Sequence, residues 1–304
     1  MTDAEATLTP APLSVALAGE AIDSGDVARS DLEAAIANSP LVVLAETEDV
    51  ADIRVVAQPN SIFRLYFKGS AVALAAFRIP VKKVRSLQRK LRSILEQIAA
   101  FRNLSAIEAP ESYIEGTVNI DFVQLLEPAT RGSLKEPAAA PLRTNEAGEY
   151  ILGGGKNLAI TFEHNSPNPL YFYVVSLDRR LQGAGLVYPY KEEFTARVKG
   201  DDPVLLVGAG PDYLLEMQVP EGYSDGLDVF KIFVSQSAIE PDIFRLPSLG
   251  TRKDIPSDYY GAGARLDRDL RKVMLGETGT APIPQFGTDP WWCTERLVRV
   301  VRED

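Results

Sequence analysis

The segment Lys82-Lys83-Val84-Arg85-Ser86-Leu87-Gln88-Arg89-Lys90-Leu91-Arg92-Ser93-Ile94-Leu95-Glu96-Gln97-Ile98-Ala99-Ala100-Phe101-Arg102-Asn103-Leu104-Ser105 decides how the chain is divided. Leu87, Leu91, Ile94, Leu95, Ile98 and Phe101 recur at three- and four-residue spacing, so a helix over 82–105 gathers them into one apolar stripe. The other side is basic: Lys82, Lys83, Arg85, Arg89, Lys90, Arg92 and Arg102 face Glu96 alone. Such a helix must lay its stripe on a neighbouring layer. Upstream, Leu41–Ala45, Ile53–Gln58 and Ser61–Lys68 read as strands, and the third sets Phe63, Leu65 and Phe67 opposite Arg64, Tyr66 and Lys68. Pro59-Asn60 is turn chemistry and predicts a hairpin. Val72–Ile79 is a fourth strand candidate, and Asp31–Asn38 a short helix stopped by Pro40. Residues 1–50 carry ten acidic side chains and one basic, Arg29, and Pro10 and Pro12 predict an acidic N-terminal arm.

Beyond Tyr113 the pattern changes to short strands between Gly, Pro, Asn and Asp. Thr117–Leu126 alternates, and Leu158–Glu163, Leu170–Leu177, Gly185–Tyr188, Pro203–Val207, Tyr213–Val219 and Leu227–Ser235 follow, with Pro128 to Gly148 read as loop. Turn signals every eight to twelve residues predict an antiparallel sandwich. A late helix over Ala264–Leu275 and a last strand over Thr294–Arg302 close the chain. The expected fold class is α+β: a small α+β domain at 1–112 with one long amphipathic helix, then an antiparallel β-sandwich at 113–304.

The chain has 304 residues, 45 % of them hydrophobic and 24 % charged, with a net charge of −10. One His and one Cys exclude His/Cys zinc clusters and multi-histidine metal sites, and no cofactor is expected. The acidic balance argues against an extended nucleic-acid face. The first twenty residues hold neither a basic leader nor a continuous apolar run, and no window suits a membrane span, so a cytoplasmic location is expected.

Candidate chemistry is sparse. A cysteine nucleophile needs an imidazole beside it, and His164 with Cys293 is the one available pair. Glu163-His164-Asn165-Ser166-Pro167 reads as a surface loop and Cys293 as a structural thiol at a strand start. Gly153-Gly154-Gly155-Lys156-Asn157 lacks the Ser/Thr and the helix of a phosphate loop, and predicts a hairpin turn. Gly208-Ala209-Gly210-Pro211-Asp212-Tyr213 has Tyr where a dinucleotide loop needs its third glycine, and Gly261-Ala262-Gly263 reads as a flexible lead-in to the late helix. Asp178, Asp201, Asp202, Asp212, Asp225 and Asp228 occupy turns without calcium-loop spacing. The basic helix face and the aromatic pairs Tyr259-Tyr260 and Trp291-Trp292 are the candidate partner-binding residues.

Three segments carry a family resemblance. They are Leu170-Tyr171-Phe172-Tyr173-Val174-Val175-Ser176-Leu177-Asp178 with Gly185-Leu186-Val187-Tyr188-Pro189, then Asp225-Gly226-Leu227-Asp228-Val229-Phe230-Lys231-Ile232-Phe233-Val234-Ser235, then Trp292-Cys293-Thr294 leading into Val298–Val301. In that order they resemble the non-catalytic C-terminal region of caspase-like (metacaspase-type) and CHAT-type cysteine peptidases of bacteria and fungi. The resemblance spans about residues 145–304 and, more loosely, the helix. The family's peptidase domain carries His before Gly and Cys after Asp or Ala; here Asn165 follows His164 and Trp292 precedes Cys293. The resemblance therefore implies an accessory or regulatory module that binds a protein partner such as a peptidase domain, without the enzyme. The alternatives are a hydrolase, using His164/Cys293 or an acid pair, and a carbohydrate-binding sandwich.

Overall fold

In the computed structural model the described residues are 12–24, 27–71, 73–78, 84–108, 112, 114–127, 138–177, 184–189, 197–198, 205–210, 213–219, 223–244 and 290–302. The first half runs β1 (Leu13–Ala18), α1 (Glu20–Asp23), α2 (Arg29–Ala37), β2 (Val42–Leu44), β3 (Ile53–Gln58), β4 (Ile62–Phe67), β5 (Ala75–Arg78) and α3 (Val84–Ala106). Its strands form one sheet in the order β2-β1-β3-β4-β5. β1 pairs in parallel with β2 and with β3, while β3, β4 and β5 meander antiparallel. Asn60 holds the β3–β4 turn with a φ of 63°, which an asparagine tolerates.

One face of this sheet is apolar because alternate residues point the same way. Leu13, Val15 and Leu17 of β1, Ile53 and Val55 of β3, and Phe63 and Leu65 of β4 meet Leu32 and Ile36 of α2 and Leu87, Leu91, Ile94, Leu95 and Ile98 of α3. The predicted stripe is thus the covering layer of the first sheet. Gly19 ends β1 at a φ of +115°, and a Cβ there would lie 2.3 Å from the Ala57 carbonyl oxygen. Only glycine lets the chain leave the central strand at this point.

The second half runs β6 (Val118–Leu125), β7 (Ala139–Pro141), β8 (Arg143–Thr144), β9 (Tyr150–Gly153), β10 (Lys156–His164), β11 (Leu170–Leu177), β12 (Ala184–Tyr188), β13 (Arg197–Val198), β14 (Leu205–Val207), β15 (Ala209–Gly210), β16 (Tyr213–Met217), β17 (Asp225–Ser235) and β18 (Trp291–Val301). One sheet follows β15-β16-β10-β6-β7, with β14 also on β10; the other follows β12-β11-β17-β18-β9-β8, with β13 on β11. They share a core in which Phe122, Leu158, Ile160 and Phe162 of the first face Phe172, Val174, Phe230, Ile232, Val234 and Val298 of the second. The second sheet is also apolar on its far side. There Tyr173, Val175, Val229, Phe233 and Trp291 pack on Phe244 and Ile239 and on Ala100, Leu104 and Ile107 at the end of α3.

The expected fold class is therefore corrected. Among the described residues the structure is mostly β, with three sheets and three α-helices. In the first half α2 covers most of the short helix expected at Asp31–Asn38, α1 is added to it, and the sheet has parallel pairs because β1 is an interior strand whose alternation is too weak to mark it. The second half is not a free two-sheet antiparallel sandwich. Its larger sheet is covered on both faces, and β9 joins β18 in parallel. The passage read as loop contains β7 and β8, short strands on the sheet edges. Gly154 and Gly155 make a turn but not a hairpin: the Gly154 amide donates to Val301 of β18 and the Gly155 amide to Met217 of β16, so the turn carries the chain from one sheet to the other. The late helix, the arm through residue 11 and Gly261-Ala262-Gly263 lie outside the described residues.

Replacing Gly19 with Ala should destabilise the protein by at least about 2 kcal/mol in urea unfolding, since left-handed strain and overlap with the neighbouring strand coincide there. An unchanged midpoint would show that the strand can move aside.

Candidate functional site

Strand alternation separates the two residues that a cysteine hydrolase would need. His164 ends β10 in register with Val118, on the inner face with Leu158, Ile160 and Phe162. Its ring lies 6.2 Å from that of Phe172, within the core between the two sheets. Cys293 is paired with Phe233 and points to the opposite side of the larger sheet, where its thiol sits 3.5 Å from the Ile107 carbonyl oxygen beyond α3. A layer of backbone stands between imidazole and thiol, so neither can activate the other. His164 is not the surface-loop residue expected but 5 % exposed.

The far side of the larger sheet holds a group that the sequence reading passed over. Lys231 is in the middle of β17, 3 % exposed, and its Nζ donates to the Ser105 carbonyl oxygen at 2.5 Å, in the last turn of α3. Burial pushes its pKa down, while the Cys293, Glu295 and Glu108 side chains act in the opposite sense. An ammonium against a helix C-terminus meets the negative end of the helix dipole. The signal was available: in Val229-Phe230-Lys231-Ile232-Phe233 a lone lysine interrupts an apolar run on a strand buried on both faces. Tyr173 adds a second polar tie there, its hydroxyl oxygen accepting the Ile239 amide at 2.7 Å.

The predicted docking residues divide. Lys82, Lys83, Tyr259 and Tyr260 lie outside the described residues. Trp291 and Trp292 are not loop residues on offer to a partner; they open β18 at 3 % and 9 % exposure, one toward each face of its sheet. Arg92 lies 4.0 Å from Glu96, and Arg102 donates to Asp52 at 2.6 Å. Burial alone would raise the Asp52 carboxyl, but hydrogen bonds from the Ser14 amide and hydroxyl and from Arg102 outweigh it and hold it below the usual carboxylate range. Arg85, Arg89 and Lys90 are exposed and have no ionic partner among the described residues.

Of the carboxylates expected in turns, Asp225 and Asp228 lie instead on β17. Asp225 and Glu149 are both engaged by Arg299, which donates to Glu149 at 2.7 and 3.0 Å and to Asp225 at 2.9 Å, a clamp across β9, β18 and β17. Asp178, Asp201, Asp202 and Asp212 lie outside the described residues, among which no three His, Cys, Asp or Glu side chains cluster as metal ligands. Gly208, at a φ of +83°, sits between β14 and β15, where a Cβ would come 2.9 Å from the Leu158 carbonyl oxygen; β15 then turns back onto β16. This is a strand junction rather than a nucleotide loop.

A cleft of about 490 Å³ lies across the ends of β6 and β10, lined by Gly116, Thr117, Val118, Asn119, Glu163, His164 and Asn165. Neither ring nitrogen of His164 has a hydrogen-bond partner. No protein-family model, curated protein or solved structure matches the chain.

The buried Lys231 gives a pH signature. Its folded pKa is depressed below the ordinary value of 10.5, so between the two values the unfolded chain binds the extra proton and stability rises with pH. Lys231→Met should remove the rise that the parent shows as pH approaches 10.5 from below, measured as the difference between the urea midpoints of variant and parent. Parallel curves would mean that Lys231 is not titrating in the core.

Proposed function

We propose that the chain is a non-catalytic accessory module that docks an acidic protein surface through the N-terminal half of α3, with a caspase-like or CHAT-type cysteine peptidase as the partner class and the cytoplasm as the place of action. The observation that carries this reading is the free basic row Arg85, Arg89 and Lys90 on a chain whose net charge is −10. The row is unfavourable for the helix itself. Arg85 and Arg89 are like charges at the i,i+4 spacing, and Arg85 lies in the first turn, at the positive end of the helix dipole. An acidic partner turns that cost into steering and affinity.

Two further facts support the reading. The separation of His164 from Cys293 by a whole sheet leaves the hydrolase alternative without its dyad. The three segments that resemble the accessory region of the peptidases become β11, β12, β17 and β18, which are successive neighbours in one sheet. The carbohydrate-binding alternative loses Trp291 and Trp292, which are core residues. No helix among the described residues is long and apolar enough to cross a membrane.

The test is titration of the purified full chain against a purified peptidase domain of this class with an acidic surface. Binding should weaken as salt rises, and the triple variant R85E/R89E/K90E should bind at least about tenfold more weakly while keeping its circular dichroism spectrum. Equal affinity of variant and parent, or no binding to the peptidase domain, contradicts the proposal.

A further inference from the structure

The cleft at the ends of β6 and β10 raises a separate question, because it brings a buried imidazole without partners to the wall of an open space. His164 is 5 % exposed and rests beside Phe172, and each of its nitrogens forgoes a hydrogen bond that water would supply. Leaving a buried polar group unsatisfied costs about 1–3 kcal/mol. Because the cleft crosses strand ends, residues of both faces line it: Glu163 and Asn119 from the outer side, His164 and Val118 from the inner.

The wall's hydrogen bonds are spent unevenly. The Thr117 hydroxyl donates to the Ile114 carbonyl oxygen at 2.9 Å, the Asn165 amide N–H donates to the Thr117 carbonyl oxygen at 3.0 Å, and the Asn119 amide donates to Asp121 at 3.1 Å. Not every donor is committed, since the N–H of a neutral His164 ring and the Asn165 side-chain amide stay unused, but several acceptors also remain. These are the Thr117 and Asn119 side-chain oxygens, the Glu163 carboxylate and the acceptor nitrogen of a neutral imidazole. Glu163 is exposed and has no ionic partner among the described residues, and no Lys or Arg is among the described lining residues. With Glu163 as the one charged group of the described lining and acceptors beside it, a ligand suited to this wall is positively charged and brings N–H donors.

We propose that this cleft binds a small organic cation, an ammonium or guanidinium group that donates to Glu163 and to the acceptors around His164. The group arrives either as a free amine or as a basic side chain of a peptide. The proposal stands independently of the docking role of α3, which lies on a different part of the molecule.

The chain's single histidine makes the test direct, because the imidazole resonances of the full-length protein can belong to no other residue. Putrescine and agmatine are the free-amine probes, and Gly-Lys-Gly and Gly-Arg-Gly the peptide probes. The expected result is a saturable shift of the His164 ring signals with at least one probe, its affinity reduced about fivefold in Glu163→Gln, which alters an exposed side chain and leaves the fold intact. A response to the peptides alone assigns the ligand to a basic side chain; a response to the free amines assigns it to a small molecule. Ring signals unmoved by all four probes, a shift of equal affinity in Glu163→Gln, or the same shift with zinc or calcium alone would overturn the proposal.

Discussion

The end of α3 is held from two sides at once, and the arrangement of the whole molecule follows from that. On one side Arg102 binds Asp52, which is itself fixed by Ser14 of the central strand β1. On the other, Lys231 of β17 donates to the Ser105 carbonyl oxygen while Ala100, Leu104 and Ile107 sink into the apolar face of the larger sheet. Residues 102 and 105 are nearly a full turn apart, and the two ties differ in kind: one uses the Arg102 side chain, the other the free Ser105 carbonyl of the last turn. The earlier turns of α3 belong to the first sheet through Leu87, Leu91, Ile94 and Ile98. One helix is therefore part of two cores, and moving one half of the protein relative to the other requires undocking Leu104 or breaking a buried charge contact.

This geometry explains where the candidate residues lie. A sheet covered on both faces leaves no open face for a catalytic thiol, so Cys293 becomes a half-buried packing residue near the helix end. In the first turns of α3, Arg85, Arg89 and Lys90 are exposed and lie off the apolar stripe. The strand ends opposite, at Val118 and His164, are where the two-sheet core opens, and a polar residue in an apolar environment there adjoins a cleft rather than solid packing. Helix and strand ends thus display a cationic row on one part of the surface and, on another, a cleft whose one charged group among the described lining is Glu163.

How much of this the sequence carries depends on whether local pattern and tertiary environment agree. The α3 stripe, β3, β4 and their hairpin were legible because each is half-buried, so period and burial coincide. β1 was not, since Leu13-Ser14-Val15-Ala16-Leu17-Ala18 is buried between two parallel partners and has little polar contrast. The Gly154-Gly155 turn was recognised as a turn, but its role in switching sheets depends on β16 and β18, which lie far away in sequence. Trp291 and Trp292 looked available for a partner because the proline-rich context hid the start of β18. The exposed cations Arg85, Arg89 and Lys90 were readable from charge and spacing alone. The cleft was not, because it arises only when the ends of β6 and β10 are brought into register.

Native-state hydrogen exchange measures the shared-core claim most directly. If α3 couples the halves, amides in β1, β3 and the first turns of α3 should exchange through the same global opening as those in β11 and β17, and Leu104→Ala should lower both sets together by about 2–5 kcal/mol. Two separate opening energies, with Leu104→Ala lowering protection in only one half, would contradict the claim that the end of α3 joins them.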